Sequence, residues 1–318
     1  MTSAIPDAVL AVVGAMLQGA LMLAAAPLLK TVIKKMKARL QNRQGPPLIQ
    51  GYYDLSKLLR KEPVRSEVAS WIYSAGPPVY FAAVLAATTL VPVVFAAAPL
   101  EAAGGILLLV GTLALGRFAL ATAALDTGSP FGGMGASRDM TIAALAEPAL
   151  MLGLFASALA AGSMNLGVLV RTLAHEGLTL HPADILAFAG LFIIVIAETG
   201  RIPVDNPATH LELTMIHEAM VLEYAGPDLA LVEWASAVKE LLYLTLLVDL
   251  FMPAGIATSV APSAVVVGML AWIAKVFVLA IAVTVVESTN AKLRLFRVPE
   301  LVSISLGLAF LALAIRFL

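Results

Sequence analysis

The chain has 318 residues, 60% hydrophobic and 13% charged, with 20 Lys and Arg against 21 Asp and Glu. Soluble domains are about half apolar and about a quarter charged, so this composition, with a mean hydropathy of +0.94, excludes a soluble globular domain, and it is far too apolar for a solvated coil. With no Cys, disulfides, thiolate metal sites and cysteine-held iron–sulfur clusters are excluded, and any redox centre served by the chain must sit on another polypeptide.

A hydrocarbon core about 30 Å thick needs roughly 20 apolar residues in helix. Eight stretches near that length predict an all-α, polytopic membrane protein, one integral membrane domain over residues 1–318. The first, Ala8–Leu29, follows a start without a basic region or cleavage signal and predicts a retained helix. The others are Gly76–Ala98, Ala103–Leu125, Met140–Gly162, Ala183–Glu198, Leu231–Gly255, Ser263–Val286 and Leu301–Phe317.

The first long loop, about residues 30–70, holds ten Lys and Arg. Placing it inside puts fifteen of the twenty basic residues on the cytoplasmic face and both termini outside. Within it a basic helix should stop at Gly45-Pro46-Pro47, because proline lacks the amide proton and restricts its predecessor. Tyr53–Glu62 then reads as an amphipathic surface helix, with apolar Leu55, Leu58 and Leu59. A contact with anionic lipid is the plain reading of this basic loop, and a partner-docking surface is the functional one.

The second long inner loop, about residues 199–230, carries the densest acid cluster. From Glu198 to Glu233 there are seven carboxylates (Glu198, Asp205, Glu212, Glu218, Glu223, Asp228, Glu233) against one fixed positive charge, Arg201. Asn206-Pro207 supplies a start and Gly226-Pro227 a stop, so a helix is expected over about Pro207–Ala225. Interleaved Leu, Met and Val predict that it packs against the membrane domain and a partner rather than lying solvated.

Ionisable groups inside the spans form a second signal, since each must pair, face the interior or line a water path. They are Arg117, Glu147, Glu198, Lys239, Glu240, Asp249, Lys275 and Glu287. Lys239, Asp249 and Lys275 lie deepest and are the foremost relay candidates, whereas Arg117 and Glu287 near the inner end read more readily as structural or snorkelling groups. The four His, at 175, 181, 210 and 217, form no ligand cluster, and Gly132-Gly-Met-Gly lacks the strand and Lys-Ser/Thr of a phosphate loop. Residue chemistry alone leaves a transporter and a redox-coupling subunit both open.

Five blocks in order narrow the choice. Gln41-x-Arg43-x-Gly45-Pro46, Asp54-x-x-Lys57-Leu-Leu-x-Lys61-Glu62, Ala197-Glu198-Thr199-Gly200-Arg201-x-Pro203-x-Asp205, Glu212-Leu213 and Glu223-Tyr224-x-Gly226 resemble the complex I subunit 1 family of NADH dehydrogenases. Against the respiratory form, Ala208 and His210 stand in place of acids, about three residues are added before Glu223, and Pro47 replaces an Asn. Residues Thr214–Asp228 and Val286–Pro299 are instead similar to the membrane-bound hydrogenase branch, that of hydrogenase-4 component C and formate hydrogenlyase subunit 4.

The resemblance implies a subunit of a bacterial or archaeal inner membrane that is not itself catalytic. Its partners would be hydrogenase large- and small-type hydrophilic subunits, an iron–sulfur subunit and antiporter-like membrane subunits, in contact with the lipid bilayer and not with nucleic acid. Iron–sulfur clusters and a nickel–iron site would lie on those partners, and the chain would couple electron transfer to proton or sodium translocation. Ion-relay candidates are Glu147, Glu198, Glu212, Glu218, Glu223, Lys239, Glu240, Asp249 and Lys275. Docking or quinone-chamber candidates are Gln41, Arg43, Gly45, Pro46, Asp54, Lys57, Arg201 and Asp205. A quinone-site subunit of a respiratory NADH dehydrogenase and a free-standing secondary transporter are the alternatives.

Overall fold

A computed structural model describes residues 4–65, 68–96, 105–176, 181–206, 215–258 and 261–317. Eleven α-helices occur among them: α1 (Ala4–Leu40), α2 (Gln50–Leu59), α3 (Trp71–Leu90), α4 (Ile106–Asp126), α5 (Pro130–Ala161), α6 (Leu166–Glu176), α7 (Pro182–Glu198), α8 (His217–Val221), α9 (Gly226–Phe251), α10 (Pro262–Thr289) and α11 (Val298–Phe317). The β-type pairing among the described residues is limited to two isolated bridges, Phe95 to Ala257 and Gly105 to Asn165.

Among the described residues, five segments are long and apolar enough to cross a membrane: Val12–Leu40, Ile106–Asp126, Pro130–Ala161, Pro262–Thr289 and Leu295–Phe317. The three other expected spans fall on α3, α7 and α9, which pack among these five. At 17 residues α7 is short, and α9 is diluted by Glu233, Lys239, Glu240 and Asp249.

Helix α9 is the axis of the molecule. Every residue from Ala237 to Leu250 is buried, the signature of a helix surrounded by others rather than facing lipid. It packs on α1, α2, α3, α7 and α10, while α5 and α7 clasp α11 and α3 runs along α4. Indole hydrogen bonds fix it to both flanks: Trp234 donates to the Leu23 carbonyl at 2.9 Å, and Trp272 of α10 donates to the Thr245 hydroxyl at 3.1 Å.

Small residues bring α3 and α4 together. A Cβ added at Gly76 would stand 2.5 Å from the Ala123 methyl and 3.1 Å from the Tyr224 hydroxyl. Gly76→Ala should therefore force the helices apart and cost about 1–3 kcal/mol, read as a lowered Tm of the detergent-solubilised chain. An unchanged Tm would mean that the contact relaxes freely.

Several elements differ from the sequence expectation. The first helix ends at Leu40, not at Gly45, because Asn42 takes a left-handed φ of 54° and the Arg43 amide turns back to the Ala38 carbonyl. Helix α5 starts ten residues before the apolar window, with Pro130 in its first turn, where a missing amide proton costs nothing. An additional helix, α6, occupies the connection after Gly162.

The helix expected over about 207–225 is, among the described residues, only the five-residue α8; residues 207–214, with Glu212 and His210, lie outside the description. Gly226-Pro227 does not stop that helix but opens α9. Gly226 has φ +59°, and an added Cβ would meet the Glu62 and Lys61 carbonyls at 2.8 and 2.9 Å, so the chain reverses there against the end of loop one.

Candidate functional site: a cavity floored by ionic clusters

A cavity of about 1190 Å³ opens between α1, α2, α9, the turn after α7 and the segment around α8. Three ionisable side chains of α9, Glu233, Lys239 and Glu240, reach its wall, and each belongs to a different ionic cluster.

The first cluster centres on Arg117 of α4. Its guanidinium pairs with Glu198, with Glu147 at 3.3 Å and with Asp139 at 3.6 Å. Glu198, with only 2% of its side chain exposed, also accepts from Lys239 Nζ at 2.9 Å and from the Tyr243 hydroxyl at 3.2 Å. Thus a carboxylate at the very end of α7 is held by cations from α4 and α9, with the Lys239 ammonium 5.7 Å from the centre of the Tyr243 ring. Burial makes these partners obligatory, since an unpaired buried charge costs several kcal/mol.

The second cluster centres on Arg201, in the turn where Gly200 takes φ +59°. Its guanidinium bonds Glu240 and, at 3.1 Å, Glu287 of α10, and Glu287 also faces Lys37 of α1 at 3.6 Å. Burial opposes the charge on Arg201, but the two carboxylates outweigh it and hold its pKa above the ordinary arginine value. A third pair, Lys30 with Glu233 at 2.6 Å, ties α1 to α9. Because Lys239 and Glu240 are neighbours in sequence, one turn of α9 joins the first two clusters.

The acid-rich loop is not left with Arg201 alone. Lys292 reaches Asp205 at 3.0 Å, Arg65 reaches Asp228 at 3.3 Å, Arg117 and Lys239 meet Glu198, and Lys30 meets Glu233. Asp205 additionally accepts the amides of Asn206 and Ile216, at 2.8 and 3.1 Å, and so pins the end of the loop that leads into α8. Among the described residues, four of these carboxylates, Glu198, Asp205, Asp228 and Glu233, are thus paired with cations from elsewhere in the chain.

The sequence candidates divide by position. Gln41, Arg43, Pro46, Asp54, Lys57, Glu198, Arg201, Asp205, Glu218, Lys239 and Glu240 all line the cavity. Gly45 lies behind it, against the backbone of Lys35, and Glu147 stands behind Arg117, which it pairs with. Glu223 has an exposed side chain, and its carbonyl accepts the Tyr73 hydroxyl at 2.6 Å. Beside it Tyr224 stacks on Tyr73, 4.4 Å between centroids, and burial raises its phenol pKa above the ordinary value.

Asp249 and Lys275 belong to neither ionic centre: the Lys275 ammonium donates to the carbonyls of Met252 and Ala254, at 2.8 and 2.9 Å, just past the end of α9. Asp249 is 2% exposed, with one carboxylate oxygen lacking a donor among the described residues.

Arg117 and Glu287, read from sequence as structural or snorkelling groups, both take part in ion pairs, Arg117 as the centre of its cluster and Glu287 as the acid shared by Arg201 and Lys37, and sequence reasoning misses Asp139, Lys30, Lys37 and Lys292. Their only sequence signal is that they are ionisable and close to a span end. No group of three or more His, Cys, Asp or Glu suited to a metal ion occurs among the described residues.

The protein family described as NADH dehydrogenase matches residues 12–317. Formate hydrogenlyase subunit 4 of Escherichia coli (strain K12) is 32% identical over 297 residues, covering 93% of this chain and 96% of that protein. Hydrogenase-4 component C of the same organism is 31% identical over 301 residues, covering 95% and 94%. The H subunit of NADH-quinone oxidoreductase from Burkholderia vietnamiensis (strain G4 / LMG 22486) is 27% identical over 222 residues, 66% of this chain and 62% of that one. A chain from the structure of the membrane-bound sulfane sulfur reductase, an archaeal respiratory membrane complex, superposes with TM-score 0.82 at 19% identity, covering 96% and 99%, and so shares the fold. The chain belongs to the NADH dehydrogenase family and is a multi-pass protein of a prokaryotic plasma membrane.

Proposed function

We propose that the chain is the membrane-anchor and coupling subunit of a complex I-like hydrogenase of the formate hydrogenlyase type, linking electron transfer in a hydrophilic arm to proton or sodium movement. The observation that carries this reading is the pair of ionic clusters joined at Lys239 and Glu240, with one side on the cavity and the other within the membrane domain. The near full-length match to two hydrogenase-type subunits supports the choice of complex.

Iron–sulfur and nickel–iron centres on the partners would supply the electron chemistry, and this chain, without Cys, holds none of their thiolate ligands. Its own part is electrostatic. A charge change beside the cavity acts on Arg201, Asp205 and Glu218, which line it, and in low dielectric such a change redistributes protons among carboxylates. Glu240 and Lys239 carry the perturbation from the Arg201 cluster to the Arg117 cluster, where Glu198 is shared between two cations. Glu147, the most exposed acid of that cluster at 34%, is its outlet.

Isolation of the native complex tests the assembly directly. Hydrogenase large- and small-type subunits, an iron–sulfur subunit and antiporter-like subunits should co-purify, whereas a chain isolated alone and active in ion exchange would establish the transporter reading. Within that complex, Arg43→Glu reverses a charge at the cavity mouth, a juxtaposition that can cost several kcal/mol at an interface. The hydrophilic subunits should dissociate while this chain stays in the membrane; retention at moderate salt would assign the loop to lipid. A second reading, quinone reduction, is favoured by the cavity volume, and quinone-dependent turnover of the isolated complex would establish it.

A further inference from the structure

A second, smaller cavity of about 410 Å³ lies on the outside of the helix bundle, between the charged end of α1 and the corresponding end of α10. The salt bridge between Lys37 and Glu287 places these two ends side by side. From α1 the groove is lined by Lys35, Met36, Arg39 and Leu40, and from α10 chiefly by Ile281 and Val285. No acid lines it, and the hydroxyl of Thr284 is turned to the Ala280 carbonyl at 2.7 Å.

The cations at this end of α1 serve three directions. Lys30 bonds Glu233 and Lys37 faces Glu287, both inward, and Lys34 lines the large cavity. Lys35 and Arg39, four residues apart on one helical face, turn to the outer groove and join no ion pair among the described residues. Below them an exposed apolar stripe continues along α10: Val285 at 45%, Ile281 at 42%, Val278 at 53% and Phe277 at 46%. From Val285 to Phe277 the stripe runs about 12 Å, at 1.5 Å per residue, away from the charged end.

We propose that this groove binds an anionic phospholipid, its phosphate held by Lys35 and Arg39 and an acyl chain lying along the Ile281–Val285 wall. Charge and shape both commit the site to that occupant. Stems of Lys and Arg cover apolar walls while their heads stay at the polar boundary, and two cations at headgroup level attract an anionic lipid more than a zwitterionic one. An apolar wall beneath them suits a tethered chain and does nothing for free phosphate. The proposal does not depend on which hydrophilic subunits the chain anchors.

The test uses the complex containing the full chain, extracted in mild detergent and stripped of loosely held lipid. Phosphatidylglycerol, phosphatidylcholine and inorganic phosphate are added separately, and binding is followed by native mass spectrometry and by the shift in Tm. Phosphatidylglycerol should stay bound and raise the Tm, while the other two at equal concentration do neither. K35Q/R39Q should weaken phosphatidylglycerol binding about tenfold or more, with its lipid-free Tm unchanged.

Should that double variant fail to assemble, Val285→Trp fills the groove without altering charge and should give the same loss. Equal effects of phosphatidylcholine would reduce the site to ordinary lipid contact. Equal effects of phosphate would remove the acyl chain from it. Undiminished phosphatidylglycerol binding in both variants, or a photo-crosslinker at Val285 that captures a protein subunit instead of lipid, would overturn the proposal.

Discussion

Replacing Arg117 with leucine is expected to remove the chain from the assembled complex. The guanidinium is the common partner of Glu198, Glu147 and Asp139, and only 10% of its side chain is exposed. Leucine would fill the space but leave Glu198 with Lys239 as its sole cation and strip Glu147 and Asp139 of theirs. Breaking a buried ionic cluster by removing one partner typically costs about 3–5 kcal/mol, because the remaining charges stay desolvated.

That is a large part of the stability of most domains. Membrane fractions should therefore contain little Arg117→Leu chain, and native gels little intact complex. Arg117→Lys should recover only part, since one ammonium cannot present the planar fork that meets three carboxylates. The double variant with Asp139→Asn should recover more than Arg117→Leu alone, because it removes the more buried of the two orphaned carboxylates. Wild-type levels of assembled Arg117→Leu complex would show that the carboxylates tolerate each other without the arginine.

The residues that make this cluster were visible in the sequence one by one and invisible as a cluster. Arg117 and Glu198 are 81 positions apart, and Lys30 and Glu233 are 203 apart. No spacing rule connects such pairs. Hydropathy located the helices well, because a span must be apolar over its whole length wherever it packs. It set their ends poorly, since α1 and α5 continue as helix past the apolar window, through Lys30–Arg39 and back to Pro130.

At 37 residues and about 1.5 Å each, α1 is about 55 Å long, so its basic last turns outrun a hydrocarbon core of about 30 Å. Those turns wall the cavity, and their helical continuation has no apolar signature. The segment before α9 misled for a related reason: Gly226-Pro227 serves equally well as the end of one helix or the start of another. What decided it is the close approach of Gly226 to the Lys61 and Glu62 carbonyls, a tertiary contact.

Lys239 and Lys275 look equivalent in sequence, each a lone cation deep in an apolar span, yet their surroundings predict opposite responses to the same substitution. Lys239 meets a carboxylate, Glu198, at 2.9 Å, and the residue after it belongs to the second cluster. The proposed relay requires this ammonium to give up its proton as the clusters respond. Lys275 donates to two backbone carbonyls at the end of α9, which do not titrate, and although Asp249 lies near enough to act on its charge the two form no ion pair among the described residues; this geometry supports a role in satisfying acceptors that the helix leaves open.

Arg keeps the charge of Lys but practically never loses its proton. Lys239→Arg should therefore give an assembled complex with normal electron transfer to an artificial acceptor and ion translocation in sealed vesicles reduced at least about tenfold, the typical minimum for losing one acid–base group being about 100-fold and residual routes restoring part of it. Lys275→Arg should leave translocation near the wild-type level, because a guanidinium can donate to the same two carbonyls. Lys239→Met, which removes the charge, should lower both assembly and translocation, and pairing it with Glu198→Gln should restore assembly alone. Full translocation by Lys239→Arg would make the first cluster a structural clamp and move the relay to the carboxylates around Arg201; loss of translocation by Lys275→Arg with assembly intact would return Asp249 and Lys275 to the ion path.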